Sequence, residues 1–130
     1  MKRLDPKIVL ASAAIYNVSG GVGIIFFLGI LAPLLGFDPG SNMLFRLFVG
    51  GTAITFGLAY AYLLRSGTYR APLLLFGTGL KYWAFVAALV AYFFFGLPAS
   101  VLVLFGLLNL LFAVLFTIVL MQAQSSRNQL

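Results

Sequence analysis

The chain has 130 residues, 63% of them hydrophobic and 8% charged, with a mean hydropathy of +1.13. Soluble domains carry about 25% charged residues, so this inventory cannot cover a water-exposed surface. Cysteine and histidine are absent, which excludes disulfides, thiol redox chemistry, zinc sites and every Ser/His or Cys/His nucleophile.

A spanning helix takes about 20 apolar residues, so four spans use up most of a single domain, residues 1–130. The sequence predicts an all-α integral membrane protein, a four-transmembrane-helix bundle. Met1, Lys2 and Arg3 ahead of an apolar run resemble a signal peptide, but the run from Ile8 to about Ala32 is too long for one, and the first span is expected to be retained. Asp5 caps a helix that has Pro6 at its first position, and Pro33 with Gly36 closes it, giving a first helix over about 6–32. The turn-rich link from Phe37 to Asn42 follows, with Ser41 or Asn42 as cap of a second helix over about 42–64. Ser66, Gly67 and Thr68 break it. Pro72 opens a third helix over about 72–95, which ends after Phe93, Phe94 and Phe95 at Gly96. Pro98 opens the fourth, over about 98–121, and Gln122 to Leu130 is a polar tail expected to fray.

The loops carry a strong charge bias. Lys2, Arg3, Lys7, Arg65, Arg70 and Arg127 fall on one side, and Asp38 is the one charge in the connecting loops of the other. By the positive-inside rule both termini and the Arg65 loop are cytoplasmic. The formal charge of +6 is thus an orientation signal; with no polar face to present it, a nucleic-acid partner is excluded.

Lipid is as apolar as leucine, so helices must associate through small residues and polar contacts. Each span has such a stripe: Ala13, Asn17 and Gly20, with Gly21 and Gly23 beside them; Arg46, Gly50, Ala53, Gly57 and Ala61; Gly77, Lys81, Ala84, Ala88 and Ala91; Gly106, Asn109, Ala113 and Thr117. These faces are expected to turn inward and the large apolar residues to face lipid.

Counted from the span ends at about 1.5 Å per residue, Asn17, Lys81 and Asn109 lie near mid-span, as do Thr52 and Thr55. Lys81 is the most informative of them, because an ionised side chain at the bilayer centre is costly and is buried in protein or lines a wet cavity. No span contains an acidic partner. Lys81 is therefore neutral, solvated by water and amides, or matched by an anionic or polar ligand. Snorkelling is the competing reading, but about 14 Å of helix lies between Lys81 and Pro72, more than the side chain covers. For Asn17 and Asn109 the competing reading is inter-helix hydrogen bonding. Tyr16 and Tyr82 are placed to add hydroxyls, and Trp83 either joins them or faces lipid. Arg46, one turn inside the outer end of its helix, is expected to reach Asp38 or lipid phosphate as an interface anchor.

The absence of an intramembrane carboxylate removes acidic proton relays and cation-antiport sites, and no cluster of residues suits a metal. The segment Asn42-Met43-Leu44-Phe45-Arg46-Leu47-Phe48-Val49-Gly50-Gly51, continuing to Gly57, resembles the second helix of DoxX-like four-helix membrane proteins. That resemblance covers about a quarter of the chain. It implies a bacterial inner-membrane bundle and a role for Arg46; because Trp83 is the single tryptophan, it does not extend to the oxidoreductase activity of one branch of that group.

Two functions compete. In the first, Lys81, Asn17, Asn109, Thr52, Thr55, Tyr16 and Tyr82 form a midplane site that binds or transports a small anionic or polar lipophilic ligand, such as a quinone or a lipid. In the second, the chain is an accessory or assembly subunit of a larger membrane complex or a homo-oligomer, with Lys81 satisfied by a partner's carboxylate. Enzymatic activity ranks third, since only Lys and Tyr are available for acid-base work.

Overall fold

A computed structural model describes residues 4–38, 40, 43–67 and 71–127; the side chains of Ala71, Ser126 and Arg127 are not described. Lys2, Arg3, Pro39, Ser41, Asn42, Thr68 and Arg70, to which the sequence reading gave loop, cap or charge roles, lie outside the described residues.

Four helices are long and apolar enough to cross a membrane. The first runs over Pro6–Leu34, the second over Met43–Ser66 and the third over Ala71–Phe95. The fourth starts at Ala99 and extends to Arg127. No strand occurs among the described residues. The first helix starts as its sequence dictates: the Asp5 carboxylate accepts from the Lys7 N–H at 2.9 Å, and Pro6, which has no N–H to satisfy, takes the first position. Its end departs slightly from expectation, because Pro33 sits inside the last turn. Gly36 at φ +84° reverses the chain, and the Phe37 N–H closes back on the Ala32 carbonyl at 3.0 Å. The larger correction is at the other terminus. The fourth helix does not fray at Gln122 but continues to Arg127, and the Gln122 amide lies 3.2 and 3.3 Å from backbone atoms of Leu4.

Two helices are not regular throughout. Gly23–Phe27 in the first and Leu102–Leu107 in the fourth are π-helical. A wider turn leaves carbonyls without their usual i+4 donor, a state tolerated at membrane depth only where other protein groups supply one.

The first and second helices pack closely along their length, as do the third and fourth; contacts between the two pairs are sparse. Glycine makes the first pairing possible. A Cβ on Gly21 would lie 2.5 Å from the Gly50 carbonyl oxygen, and one on Gly57 would lie 2.7 Å from Val18 Cγ2 and 3.0 Å from the Ala14 oxygen. On the other side of the bundle, a Cβ on Gly106 would meet the Ala88 methyl at 3.0 Å. The small-residue faces therefore do point inward, with two exceptions: Gly20 and Ala61 are exposed.

The space between the pairs is filled unevenly. Toward the end that holds Leu4, Gln122 and Ser66, hereafter the Arg65 end, Val9, Leu10, Tyr60, Leu63, Leu74, Phe116 and Val119 form a solid core. The expectation that large apolar residues face lipid fails here, because two helix pairs held apart leave a gap that alanine and glycine cannot fill. Toward the opposite, Asp38 end, the gap is a cavity.

Candidate functional site

The cavity has a volume of about 340 Å³ and all four helices line it. Lys81 projects from the third helix onto its floor, next to Asn17 and Asn109, and is 3% exposed. Its amine donates to Oδ1 of Asn17 and, at 2.9 Å, to Oδ1 of Asn109. The same nitrogen stands 4.8 Å from the centre of the Tyr16 ring and 5.5 Å from that of Phe112, within cation–π range. Two amide oxygens and two aromatic faces thus solvate the lysine in place of a carboxylate, and the three polar residues do share one level. Its inward course excludes snorkelling.

Each partner is held in turn. Asn109 Nδ2 donates to the Phe105 carbonyl at 2.7 Å and to the Tyr16 hydroxyl at 3.2 Å, and that hydroxyl donates to the Leu104 carbonyl at 3.3 Å. Both carbonyls belong to the π-helical turn of the fourth helix, so the site residues supply donors that the widened turn lacks. For the first helix, Arg46 of the second does the same: Nε donates to the Ile24 carbonyl at 3.4 Å and Nη2 to that of Ile25 at 3.2 Å. This corrects the expected Arg46–Asp38 contact. The Asp38 carboxylate instead accepts from the Gly40 N–H at 2.9 Å, closing its own turn.

The network leaves a directional surplus. A protonated lysine has three donors and a carboxamide nitrogen two. Two donors of Lys81 are used, while Asn17 Nδ2, in a residue 5% exposed, has no partner among the described residues. These two side chains therefore carry unused N–H donors, and the acceptor atom they hold, Asn17 Oδ1, is already engaged by the lysine. The cavity walls are apolar or small, among them Ile24, Val49, Ala53, Leu80, Ala84, Val101 and Leu104.

Of the seven residues expected to bind ligand, Lys81, Asn17, Asn109, Tyr16 and Thr52 line the cavity. The Thr52 hydroxyl is turned back on the Phe48 carbonyl at 2.7 Å. Thr55 and Tyr82 do not line the cavity. Thr55 lies about a third of a turn round from the lining face formed by Val49, Thr52 and Ala53, is exposed, and donates to the Gly51 carbonyl. Tyr82, one residue and about 100° past Lys81, is exposed, and its hydroxyl lies 3.2 Å from that of Thr117. Trp83 faces outward at 67% exposure. Beyond the apolar walls, two further residues had not been assigned to the site. Phe112 was legible as the position three after Asn109 on the same helix face, and Gly20, read as a packing residue, lines the cavity with nothing within 4 Å of where its Cβ would be.

These features define a class: a small all-helical protein with four membrane-length helices and a polar floor beneath a half-bundle cavity. Comparison with protein-family models, curated proteins and solved structures finds no match, so function is argued from the site alone.

Proposed function

We propose that the chain is an integral membrane protein that binds a small lipophilic ligand through a hydrogen-bond-accepting head group at Lys81. The observation that carries this reading is the buried lysine, 3% exposed and facing a cavity rather than a carboxylate, with unused donors on itself and on Asn17. Buried polar groups are as a rule paired, and an acceptor on a ligand would supply the missing partner. Anionic heads and neutral carbonyl heads, such as that of a quinone, both meet the requirement. Binding is favoured over passage because the packed core around Tyr60, Leu63 and Phe116 closes the space below the floor.

The alternative, an accessory subunit whose Lys81 meets a partner's carboxylate, has less support because that partner would have to reach the bundle interior. We place the protein in a bacterial inner membrane with both termini cytoplasmic, on the charge bias and on the DoxX-like pattern around Arg46. The test is lipid analysis of the purified protein. A lipophile with an acceptor head should co-purify with the wild-type chain and fall at least tenfold in Lys81→Met; equal retention by both would remove Lys81 from the function.

A further inference from the structure

The charge balance at the cavity floor goes further than an acceptor of any kind. Lys81 is the cation there, and the spans hold no acidic residue to neutralise it. Its present partners, Asn17, Asn109 and the Tyr16 and Phe112 rings, are all uncharged. A head group with one negative charge cancels the lysine within the membrane. A dianion would leave a second charge desolvated without a partner, which low-dielectric surroundings penalise heavily. The free donors suit the same group: one N–H of Lys81 and two of Asn17 Nδ2 are available to match the two oxygens of a carboxylate. Above the floor the walls are apolar for about 12 Å, the rise of the fourth helix from Asn109 to Val101.

We infer that the site takes a single-chain carboxylate, the anion of a fatty acid, with its head on Lys81 and Asn17 and its chain against the apolar walls. This rests on the binding function proposed above and specifies the head group. The site is closed toward the Arg65 end by Tyr60, Phe116 and their neighbours, so the acid enters and leaves by the half of the bundle nearer Asp38.

Gly20 provides a control that does not touch the polar network. A Cβ there meets nothing within 4 Å and Gly20 lines the cavity, so Gly20→Leu places its side chain in the site without a backbone clash. The experiment follows carboxyl-13C decanoate bound to the full chain in a neutral detergent, with decanol, decyltrimethylammonium and a decyl-substituted benzoquinone as competitors. Folding of each variant is monitored by its thermal unfolding. A bound carboxyl resonance is expected, at least tenfold weaker in Lys81→Met and lost in Gly20→Leu, with each competitor at least tenfold less effective than unlabelled decanoate. If the benzoquinone or decanol displaces decanoate as well as decanoate itself does, the carboxylate assignment is overturned while the acceptor-head reading stands. If no probe binds in a manner sensitive to Gly20→Leu, both fall.

Discussion

At Lys81 the cost of burying an ammonium, several kcal/mol even after relaxation, is offset by two hydrogen bonds from a charged donor, each worth about 1.5–3 kcal/mol, and by two aromatic faces. The balance makes the residues unequal under mutation. Lys81→Met removes the charge together with its cost but leaves two amide oxygens without a donor, at about 1–3 kcal/mol each. The opposing changes nearly cancel, and the apparent Tm in detergent should move by no more than a few degrees. Asn109→Ala keeps the charge, removes one of its two acceptors and cuts the link to Tyr16 and Phe105. It should cost about 2–3 kcal/mol and be clearly less stable than Lys81→Met in the same thermal scan. The reverse order would mean that the lysine is not held as an ammonium.

Adjacent glycines in the first helix do opposite jobs. Gly21 permits contact with the second helix, where a methyl would come within 2.5 Å of the Gly50 oxygen, whereas Gly20 borders open space. Gly21→Ala should therefore destabilise by about 1–3 kcal/mol through overpacking. Gly20→Ala should stabilise by up to about 1 kcal/mol through helix propensity. Chemical denaturation of the two variants side by side checks the opposite signs. The π-helical turns are the second feature at this scale. Arg46 reaches from the second helix to the Ile24 and Ile25 carbonyls, so it ties the widened turn to the neighbour that packs on it. Arg46→Met should speed amide hydrogen exchange over residues 23–28 at least tenfold, with Arg46→Lys intermediate because a single ammonium replaces a planar fork. Unchanged exchange in Arg46→Met would mean that the turn stands without its side-chain donor. The small-residue pattern correctly marked the faces that turn inward, yet it gave no sign of either π turn. Such turns arise from the fit between helices, and neither GIIFF nor LVLFGL carries a residue that demands one.

For the whole molecule, the division into a solid half and a hollow half decides how substitutions act. Gly57→Leu intrudes on Val18 and the Ala14 oxygen in the tight first pairing and should lower the apparent Tm strongly. Ala84→Leu, which the stripe pattern alone would rank with it, projects into the cavity instead and should reduce ligand occupancy with little thermal effect. Equal thermal losses for the two would argue that the cavity is closed in the membrane. Ser66 and Gln124 belong to the Arg65 end and Asp38 to the opposite end. With the proposed orientation, Ser66→Cys and Gln124→Cys should be labelled by an impermeant maleimide from the cytoplasmic face alone, and Asp38→Cys from outside alone. Labelling of Ser66→Cys or Gln124→Cys in intact cells overturns the orientation.

The sequence by itself determined the number and approximate bounds of the helices, because apolar length, proline at helix starts and glycine at helix ends are local properties of the chain. It also determined that Asn17, Lys81 and Asn109 share a level, since depth follows from counting residues at a fixed rise. Only the tertiary structure decided what surrounds that level: that Phe112 and Tyr16 face the amine, that Thr55 and Tyr82 do not, that Arg46 turns inward to backbone carbonyls, and that Gly20 borders space while Gly21 does not. Those outcomes depend on the rotation of each helix about its axis and on the separation of the two pairs. Both are set by the simultaneous fit of side chains from all four helices, to which no single helix's periodicity has access.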